Sequence, residues 1–159
     1  MKKIVIIGNS ASGKSTLAKS FASFEHVAHL DLDTIAWEKG TPPTRLSIEQ
    51  SKTILLEFDK ANKSWVIEGC YGDLVQCVVP YANEMIFLDL PVETCINNAR
   101  SRLWEAHKYD SQAEQDRNLD MLIQWIAAYP ERTGPCSRSA HRALFNNFKG
   151  KKTLRQSFA

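Results

Sequence analysis

The chain has 159 residues, of which 43% are hydrophobic and 24% are charged, and its formal net charge is +2. This length suits one domain whose core needs no disulfide or metal, and the composition excludes a fibrous or disordered protein. The net charge is too small to indicate a partner by itself. The four cysteines form no C-x-x-C pair and have no zinc-finger spacing to histidine, so we expect reduced, structurally idle thiols.

The first apolar run, Ile4 to Ile7, is only four residues long. A signal peptide needs roughly 7–15 apolar residues and a membrane span about 20. The sequence therefore predicts a cytoplasmic protein without a membrane partner. Because the run is short and β-branched, Lys2–Gly8 is predicted to be a buried strand.

Predicted strands and helices alternate along the rest of the chain. The further strands are expected at Val27–Asp31, Ser64–Glu68, Glu84–Leu90 and Lys151–Ser157. The helices are expected at about Ser15–Phe24, Ile48–Asn62 with Ser47 as N-cap, Pro91–Leu103, Ala113–Tyr129 and Ser137–Phe148. A loop is expected at Gly40–Pro43 and an irregular segment at Trp104–Ser111. The alternation predicts a three-layer α/β fold around a mostly parallel, five-stranded sheet.

The stretch GNSASGKST follows the first strand and opens the first helix. It fits G-x-x-x-x-G-K-[ST], in which the glycines bring backbone N–H groups close to phosphates and the helix adds its positive end. Lys14 is expected to reach the phosphate oxygens, and the Ser15 hydroxyl to bind Mg²⁺. The motif predicts an ATP site made by Gly8, Asn9, Ser10, Ala11, Ser12, Gly13, Lys14, Ser15 and Thr16.

Polar residues also follow the other predicted strands, namely Asp31–Asp33, Glu68–Tyr71 and Asp89. In parallel α/β sheets, ligands bind beyond the carboxyl ends of the strands. Asp31 and Asp33 are two close carboxylates whose mutual repulsion a bound Mg²⁺ or Lys14 would relieve. The alternative is that they are two ordinary loop residues.

At these residues the chain resembles the P-loop small-molecule kinases related to shikimate kinase and adenylate kinase. The resemblance is nearest to the bacterial branch labelled "DNA topology modulation protein" or "putative kinase". It covers nearly the whole chain, and its marks are GNSASGKST, HLDLDTIAW, WVIEGCYG, IFLDLP and ARSRLWEAHKY.

The resemblance implies one kinase domain over 1–159, with ATP and Mg²⁺ as cofactors. Shikimate kinase has a D-x-D after its second strand, which Asp31-Leu32-Asp33 resembles. This implies that Asp31 helps hold Mg²⁺ through water. It also implies that Asp33 binds the acceptor hydroxyl and takes its proton.

The turn after the third strand departs from shikimate kinase. Shikimate kinase has a glycine triplet there, whereas this chain has Glu68-Gly69-Cys70-Tyr71, which is nearer the acidic-glycine turn of adenylate kinases. The departure argues against shikimate as the acceptor. We expect Glu68, Gly69 and Tyr71 to line the acceptor site, with a purely structural Glu68 carboxylate as the alternative. Trp37 either covers an acceptor ring or fills the core.

Arg100 and Arg102 end a predicted helix just before the irregular segment. Relatives place a mobile lid here, and the resemblance implies a lid segment at about residues 102–116. Arginines that neutralise a transferring phosphoryl group accelerate transfer strongly. We expect at least one of these two to do so, with Lys108 and Tyr109 as weaker candidates. The alternative is that the arginines only complement the helix dipole.

Residues 132–159 contain four arginines, three lysines and no acidic residue. The segment is interpreted as a solvated basic face, or as a source of Arg138 or Arg142 for the nucleotide. Nucleic-acid binding is disfavoured, because no binding motif accompanies the charge.

The sequence therefore predicts an ATP- and Mg²⁺-dependent kinase for a small molecule. Two alternatives remain open at this point, a nucleoside or nucleotide kinase and an ATP-binding regulator that acts on DNA. The acceptor and the oligomeric state are not encoded in any motif.

Overall fold

The structure is a computed structural model that describes residues 1–38, 40 and 43–157. Its strands form one sheet in the order β2-β3-β1-β4-β5, and every adjacent pair is parallel. The strands are Lys3–Gly8 (β1), Ala28–Asp31 (β2), Trp65–Glu68 (β3), Glu84–Leu88 (β4) and Lys151–Arg155 (β5). The sequence-based prediction of a three-layer α/β fold is confirmed, with a sheet that is parallel throughout.

The described helices connect these strands. Their bounds are Lys14–Glu25 (α1), Ile48–Ala61 (α2), Gly72–Val78 (α3), Val92–Arg100 (α4), Gln112–Arg117 (α5), Leu119–Ala128 (α6) and Arg138–Asn147 (α7). Ser47 caps α2 as expected, because its hydroxyl accepts from the Gln50 N–H (3.2 Å) and the Gln50 side chain accepts from the Ser47 N–H (3.1 Å). This capping box satisfies two of the first helical N–H groups.

Alternate residues of the sheet enter two different cores, as the period of a strand requires. Ile4 and Ile6 of β1 pack on the α1 side against Ala18. Val5 and Ile7 face the other way, toward Leu55 of α2 and Leu74 of α3. A third cluster joins α4 and α6 to the loop after β1, through Ala11, Leu90, Cys95, Ala99 and Ile126.

Two helical predictions differ from the structure. The stretch Ala113–Tyr129 was expected to be one helix, but α5 ends at Arg117 and α6 begins at Leu119, with Asn118 between them. The Asn118 side chain donates to the Glu114 carbonyl (2.8 Å), and such local bonding by asparagine competes with helix continuation. Helix α3 was not predicted at all, because it has only seven residues and follows the turn Gly69–Tyr71 directly.

Three elements end earlier than expected. Strand β4 ends at Leu88 and not Leu90, helix α4 at Arg100 and not Leu103, and strand β5 at Arg155 and not Ser157. The predicted loop Gly40–Pro43 lies partly outside the described residues. The predicted irregular segment Trp104–Ser111 has turns and bends but no helix or strand. Within the described ranges, no helix is both long enough and apolar enough to cross a membrane.

Candidate functional site

The carboxyl edge of the sheet brings together the polar residues that were predicted to follow the strands. Asp31 and Glu68 are register partners at the ends of β2 and β3. The Ser15 hydroxyl, at the start of α1, donates to Glu68 Oε2 at 2.7 Å. The glycine-rich loop, the acidic strand ends and the Glu68–Tyr71 turn therefore share one edge.

The backbone of the loop after β1 requires glycine at two positions, Gly8 and Gly13. A Cβ on Gly8 would lie 2.6 Å from the Leu88 carbonyl oxygen and 2.9 Å from Ser12 Oγ, so no side chain fits there. Gly13 has φ +93°, in the left-handed region that favours glycine. The loop then enters α1, whose first N–H groups have no partner in the helix itself.

Side-chain amides hold this loop to the neighbouring helices. Asn9 Nδ2 donates to the Ile126 carbonyl of α6 (3.1 Å), and Asn98 Nδ2 of α4 donates to the Ala11 carbonyl (2.8 Å). The Lys14 ammonium is almost buried and donates to the Asn9 carbonyl at 2.6 Å. Among the described residues, the Ser12 hydroxyl is buried without a hydrogen-bond partner. A hydroxyl donor in a cradle closed to side chains fits a phosphate oxygen.

Glu68 joins β3 to the loop. Its carboxylate is 2% exposed, and Oε2 accepts from Ser15 Oγ and lies 3.1 Å from His29 Nε2. Such a buried carboxylate is stable only because it has donors. Glu68 thus contacts the predicted metal-binding serine directly, and His29 is a contact that the sequence did not indicate.

Asp31 lies beside this group. Burial and the neighbouring carboxylates of Glu68 and Asp33 raise the pKa of Asp31 above its ordinary value, against the lowering effect of Lys108. The raised pKa marks a surplus of negative charge that a bound cation would relieve.

This edge of the sheet carries hard oxygen donors of the kind that Mg²⁺ prefers, namely the carboxylates of Asp31, Asp33 and Glu68 and the hydroxyl of Ser15. In the described part of the chain, no three or more His, Cys, Asp or Glu residues are grouped to enclose a metal. Mg²⁺ usually keeps several waters and takes one or two carboxylates plus substrate phosphates. The donor set of Ser15 and Asp31 therefore fits Mg²⁺ bound together with a nucleotide.

Asp33 is held by contacts to both of its carboxylate oxygens. The Tyr71 hydroxyl donates to Oδ1 at 2.5 Å, and Lys108 Nζ lies 2.7 Å from Oδ2. Burial by itself would raise the pKa of Asp33, but the Lys108 charge and these hydrogen bonds lower it below the ordinary value. The charge of Lys14 acts in the same direction. Asp33 is therefore an ionised carboxylate within the field of the P-loop lysine.

Trp37 and Tyr71 form one wall of this site. Trp37 Nε1 donates to the Tyr71 hydroxyl at 2.9 Å, and their rings meet edge to face with centroids 6.5 Å apart. Tyr71 is buried, whereas Trp37 is 40% exposed. The exposed part of the indole leaves apolar surface beside Asp33 for an acceptor. Arg45 stacks over Tyr71 (4.8 Å to the centroid) and pairs with Asp73 (3.3 Å), and sequence reasoning missed it.

Of the two predicted arginines, Arg100 is the last residue of α4 and Arg102 begins the predicted lid segment, residues 102–116. Arg102 Nη1 donates to Glu105 Oε1 at 3.0 Å. Arg100 and Arg102 both line a small cavity between α4, the lid segment and α6. The lid cation that reaches the acidic strand ends is Lys108, which the sequence indicated only weakly. The predicted catalytic roles of Arg100 and Arg102 stay predictions.

The basic C-terminal stretch is partly neutralised inside the protein. Arg138 Nε and Nη2 donate to both oxygens of Asp89, at 2.9 and 2.7 Å. Asp89 directly follows β4 and is buried. This bidentate pair fixes the start of α7 to the carboxyl edge of the sheet.

A buried histidine, His141, holds the turn Gly69–Tyr71 that follows β3. His141 Nε2 lies 2.7 Å from the Cys70 carbonyl oxygen, and Nδ1 lies 2.7 Å from the Tyr129 hydroxyl. Since a carbonyl only accepts, Nε2 carries the proton and Nδ1 accepts from Tyr129. Burial lowers the pKa of His141 to about 4.

We expect this histidine to make stability depend on pH. The unfolded chain binds the proton near pH 6.5 and the folded chain only near pH 4, so stability is lost as pH falls through that window. Between pH 7.5 and 5.0 the loss should be about 2 kcal/mol of unfolding free energy, measured by urea denaturation. The His141→Gln variant should lose this part of the pH dependence. A matched change at an exposed histidine, His26→Asn, should keep it, and equal slopes for all three proteins would contradict the assignment.

The glycine-rich loop and the parallel sheet together define a class, the α/β proteins with a P-loop. Among solved structures, shikimate kinase from Bacteroides thetaiotaomicron has this fold, with a TM-score of 0.55 and 19% identity over 99% of this chain and 88% of that one. A sugar kinase from Janibacter sp. HTCC2649 matches with a TM-score of 0.54 and 14% identity over 98% of this chain and 85% of that one. The chain therefore has a shikimate kinase-like P-loop fold.

Sequence comparison is less informative. An uncharacterized protein of Bacillus subtilis (strain 168), YqaC, is 24% identical in an alignment 139 residues long that covers 80% of this chain and 72% of that protein. No family model matches the chain. The resemblance to the branch labelled "DNA topology modulation protein" thus stays a prediction.

Proposed function

We propose that this protein is an ATP- and Mg²⁺-dependent kinase that transfers the γ-phosphoryl group to a hydroxyl of a small molecule. One observation carries the proposal. Asp33, an ionised carboxylate held by Tyr71, lies at the same sheet edge as Lys14 and the Ser15 hydroxyl. A protein that only senses ATP needs one carboxylate for Mg²⁺, a role that Asp31 can fill, and has no need of a second one held in place at Asp33.

On the donor side, the loop Gly8–Ser15 binds the phosphates through backbone N–H groups and the start of α1. Lys14 exchanges its bond to the Asn9 carbonyl for the phosphate oxygens. Ser15 and Asp31 would hold Mg²⁺, which would supply neutralisation of the negative charge on the phosphates. Glu68 keeps the Ser15 hydroxyl in place by accepting its hydrogen bond.

On the acceptor side, Asp33 orients the acceptor hydroxyl toward the γ-phosphorus. The hydroxyl oxygen forms the new P–O bond, the bond to the β-phosphate oxygen breaks, and ADP leaves. The hydroxyl proton passes to Asp33 during transfer. Trp37 and the Gly69–Tyr71 turn form the wall against which the acceptor lies. Arg100 at the end of α4, or Arg102 at the start of the lid segment, stabilises the transferring group.

The wider setting follows from this chemistry. We propose a cytoplasmic enzyme of one domain whose partner is a small-molecule acceptor, with no nucleic acid or membrane required. The fold neighbours that support the kinase assignment are themselves named as a shikimate kinase and a sugar kinase.

The test is transfer of label from γ-labelled ATP to a pooled set of small metabolites, with and without Mg²⁺. Label should appear on a hydroxyl-bearing metabolite only with Mg²⁺. If a nucleoside monophosphate competes to saturation, the enzyme is a nucleotide kinase instead. Tight ATP binding without transfer, together with DNA binding whose log affinity falls linearly with log salt, would replace the proposal by a DNA-acting regulator.

A further inference from the structure

Lys108 of the lid segment lies on the carboxylates of the proposed site. Its Nζ is 2.7 Å from Asp33 Oδ2, 3.4 Å from Glu105 Oε2 and 3.8 Å from Asp31 Oδ2. A second lid side chain, His107, places Nε2 3.7 Å from the same Asp31 oxygen. Two of these three acids belong to the strand end after β2, so the contacts tie the lid segment to the sheet edge.

The lid turn itself does not depend on Lys108. The Lys108 and Tyr109 N–H groups both donate to the Glu105 carbonyl at 3.0 Å. The Glu105 N–H donates to the Gln115 side chain (2.8 Å), and Arg102 pairs with Glu105. Removing the Lys108 charge should therefore leave this turn folded while freeing Asp31 and Asp33.

These are the carboxylates that the proposed function assigns to Mg²⁺ and to the acceptor. Because Lys108 Nζ lies 3.8 Å from Asp31 Oδ2, a divalent cation bound at Asp31 would lie within a few ångströms of the ammonium, and the two repel strongly at low dielectric. Asp31, with its neighbours Asp33 and Glu68, offers more negative charge than one ammonium neutralises. A divalent cation that also has the nucleotide phosphates to bind is therefore the stronger competitor.

Building on the proposed metal site, we propose that Lys108, which pairs with Asp33 and lies 3.8 Å from Asp31 Oδ2, competes with a divalent cation at Asp31. Lys108 holds the lid segment on the sheet edge, and metal binding releases it. Because such coupling is reciprocal, the factor by which the Lys108 contact weakens metal binding equals the factor by which metal weakens the contact. The lid is thereby kept over the acceptor carboxylate until the metal arrives.

The first test is binding of Mn²⁺ in the presence of ADP, followed by electron paramagnetic resonance without acceptor. Lys108→Met should bind Mn²⁺ more tightly than wild type, by a factor on the order of 5–150. Lys108→Arg keeps a cation at the site and should resemble wild type. Lys149→Met, which removes an exposed charge next to the opposite edge of the sheet, should also resemble wild type. Equal affinity for Lys108→Met and wild type, or no binding by either, would overturn the proposal.

The second test is nuclear magnetic resonance of the Lys108 side-chain ammonium, which reports its ion pair with Asp33 and not the turn held at Glu105. Added Mg²⁺ and ADP should move the wild-type Lys108 signal toward that of an exposed lysine such as Lys149, and ADP alone should not. A Lys108 signal that Mg²⁺ and ADP leave unchanged would overturn the competition. Neither measurement needs phosphoryl transfer. Metal competition without any kinase activity would keep this inference and refute the proposed function, and activity without competition would do the reverse.

Discussion

Replacing Asp33 by asparagine is expected to lower turnover by roughly 10²–10⁴-fold, the range of general-base assistance. The affinity for ATP should stay almost unchanged, because Asp33 lies on the acceptor side of the Ser15 and Asp31 donor set. Asparagine has nearly the same shape and can still accept from the Tyr71 hydroxyl, so the fold should persist. Steady-state kinetics with the acceptor in excess separate the effect on kcat from that on the KM for ATP.

Asp120→Asn is the matched control, since Asp120 is exposed in α6 and the same charge is removed away from the site. It should leave kcat within a factor of about two, as surface substitutions usually do. Phosphotransfer by Asp33→Asn at the wild-type rate would exclude the role given to Asp33. A loss of ATP affinity equal to the loss of kcat would place Asp33 on the donor side instead.

Replacing Lys14 by alanine should have the second large effect. Lys14 is the cation of the P-loop, almost buried and poised on the Asn9 carbonyl at 2.6 Å. Loss of one preorganised group that stabilises transition-state charge costs on the order of 10²–10³ in rate. We therefore expect kcat to fall by at least that factor, with weaker ATP binding as well, measured by initial rates and by calorimetric titration of ATP.

Lys19→Ala is the control for this change, because Lys19 is exposed on the same helix, α1. Both variants should unfold in urea near the wild-type midpoint, so that a rate loss is not a folding defect. Wild-type activity in Lys14→Ala would show that the loop does not hold the transferred phosphate.

The sequence predicted the edge of the sheet better than the walls of the site. Each buried strand is short and apolar, and the polar residue that ends it can be read directly, as at Asp31 and Glu68. The carboxyl ends of parallel strands meet at one edge by geometry alone. This is why Ser15, Asp31 and Glu68 were expected near one another and are found so.

Contacts between distant parts of the chain could not be predicted from the sequence in the same way. The sequence indicated Lys108 only as a weaker lid candidate, because its contact with Asp33 depends on how the lid segment turns at Glu105. Arg45 reaches Tyr71 only because the segment before α2 pairs Arg45 with Trp37 in an isolated bridge. Such pairings depend on tertiary packing, and the local periodicity of the sequence carries no information about it.

The helical errors have local causes. A seven-residue helix such as α3 contains only two turns, too few for a periodic pattern to stand out. The apolar stripe from Leu119 to Ala127 lies wholly in α6, and the polar stretch QAEQDR of α5 carries no periodicity that could show a separate helix. The asparagine was the available signal, because its side chain competes for backbone carbonyls.

The most direct measurement of the central claim is where the γ-phosphate of ATP goes in a single turnover. With labelled ATP, Mg²⁺ and a metabolite pool, the products are separated by chromatography into inorganic phosphate and organic phosphate. Phosphoryl transfer to a hydroxyl predicts organic phosphate with the wild type and almost none with Asp33→Asn or Lys14→Ala. Label that appears only as inorganic phosphate, in equal amounts with and without the pool, would contradict the kinase account and leave an ATP hydrolase or an ATP-binding protein.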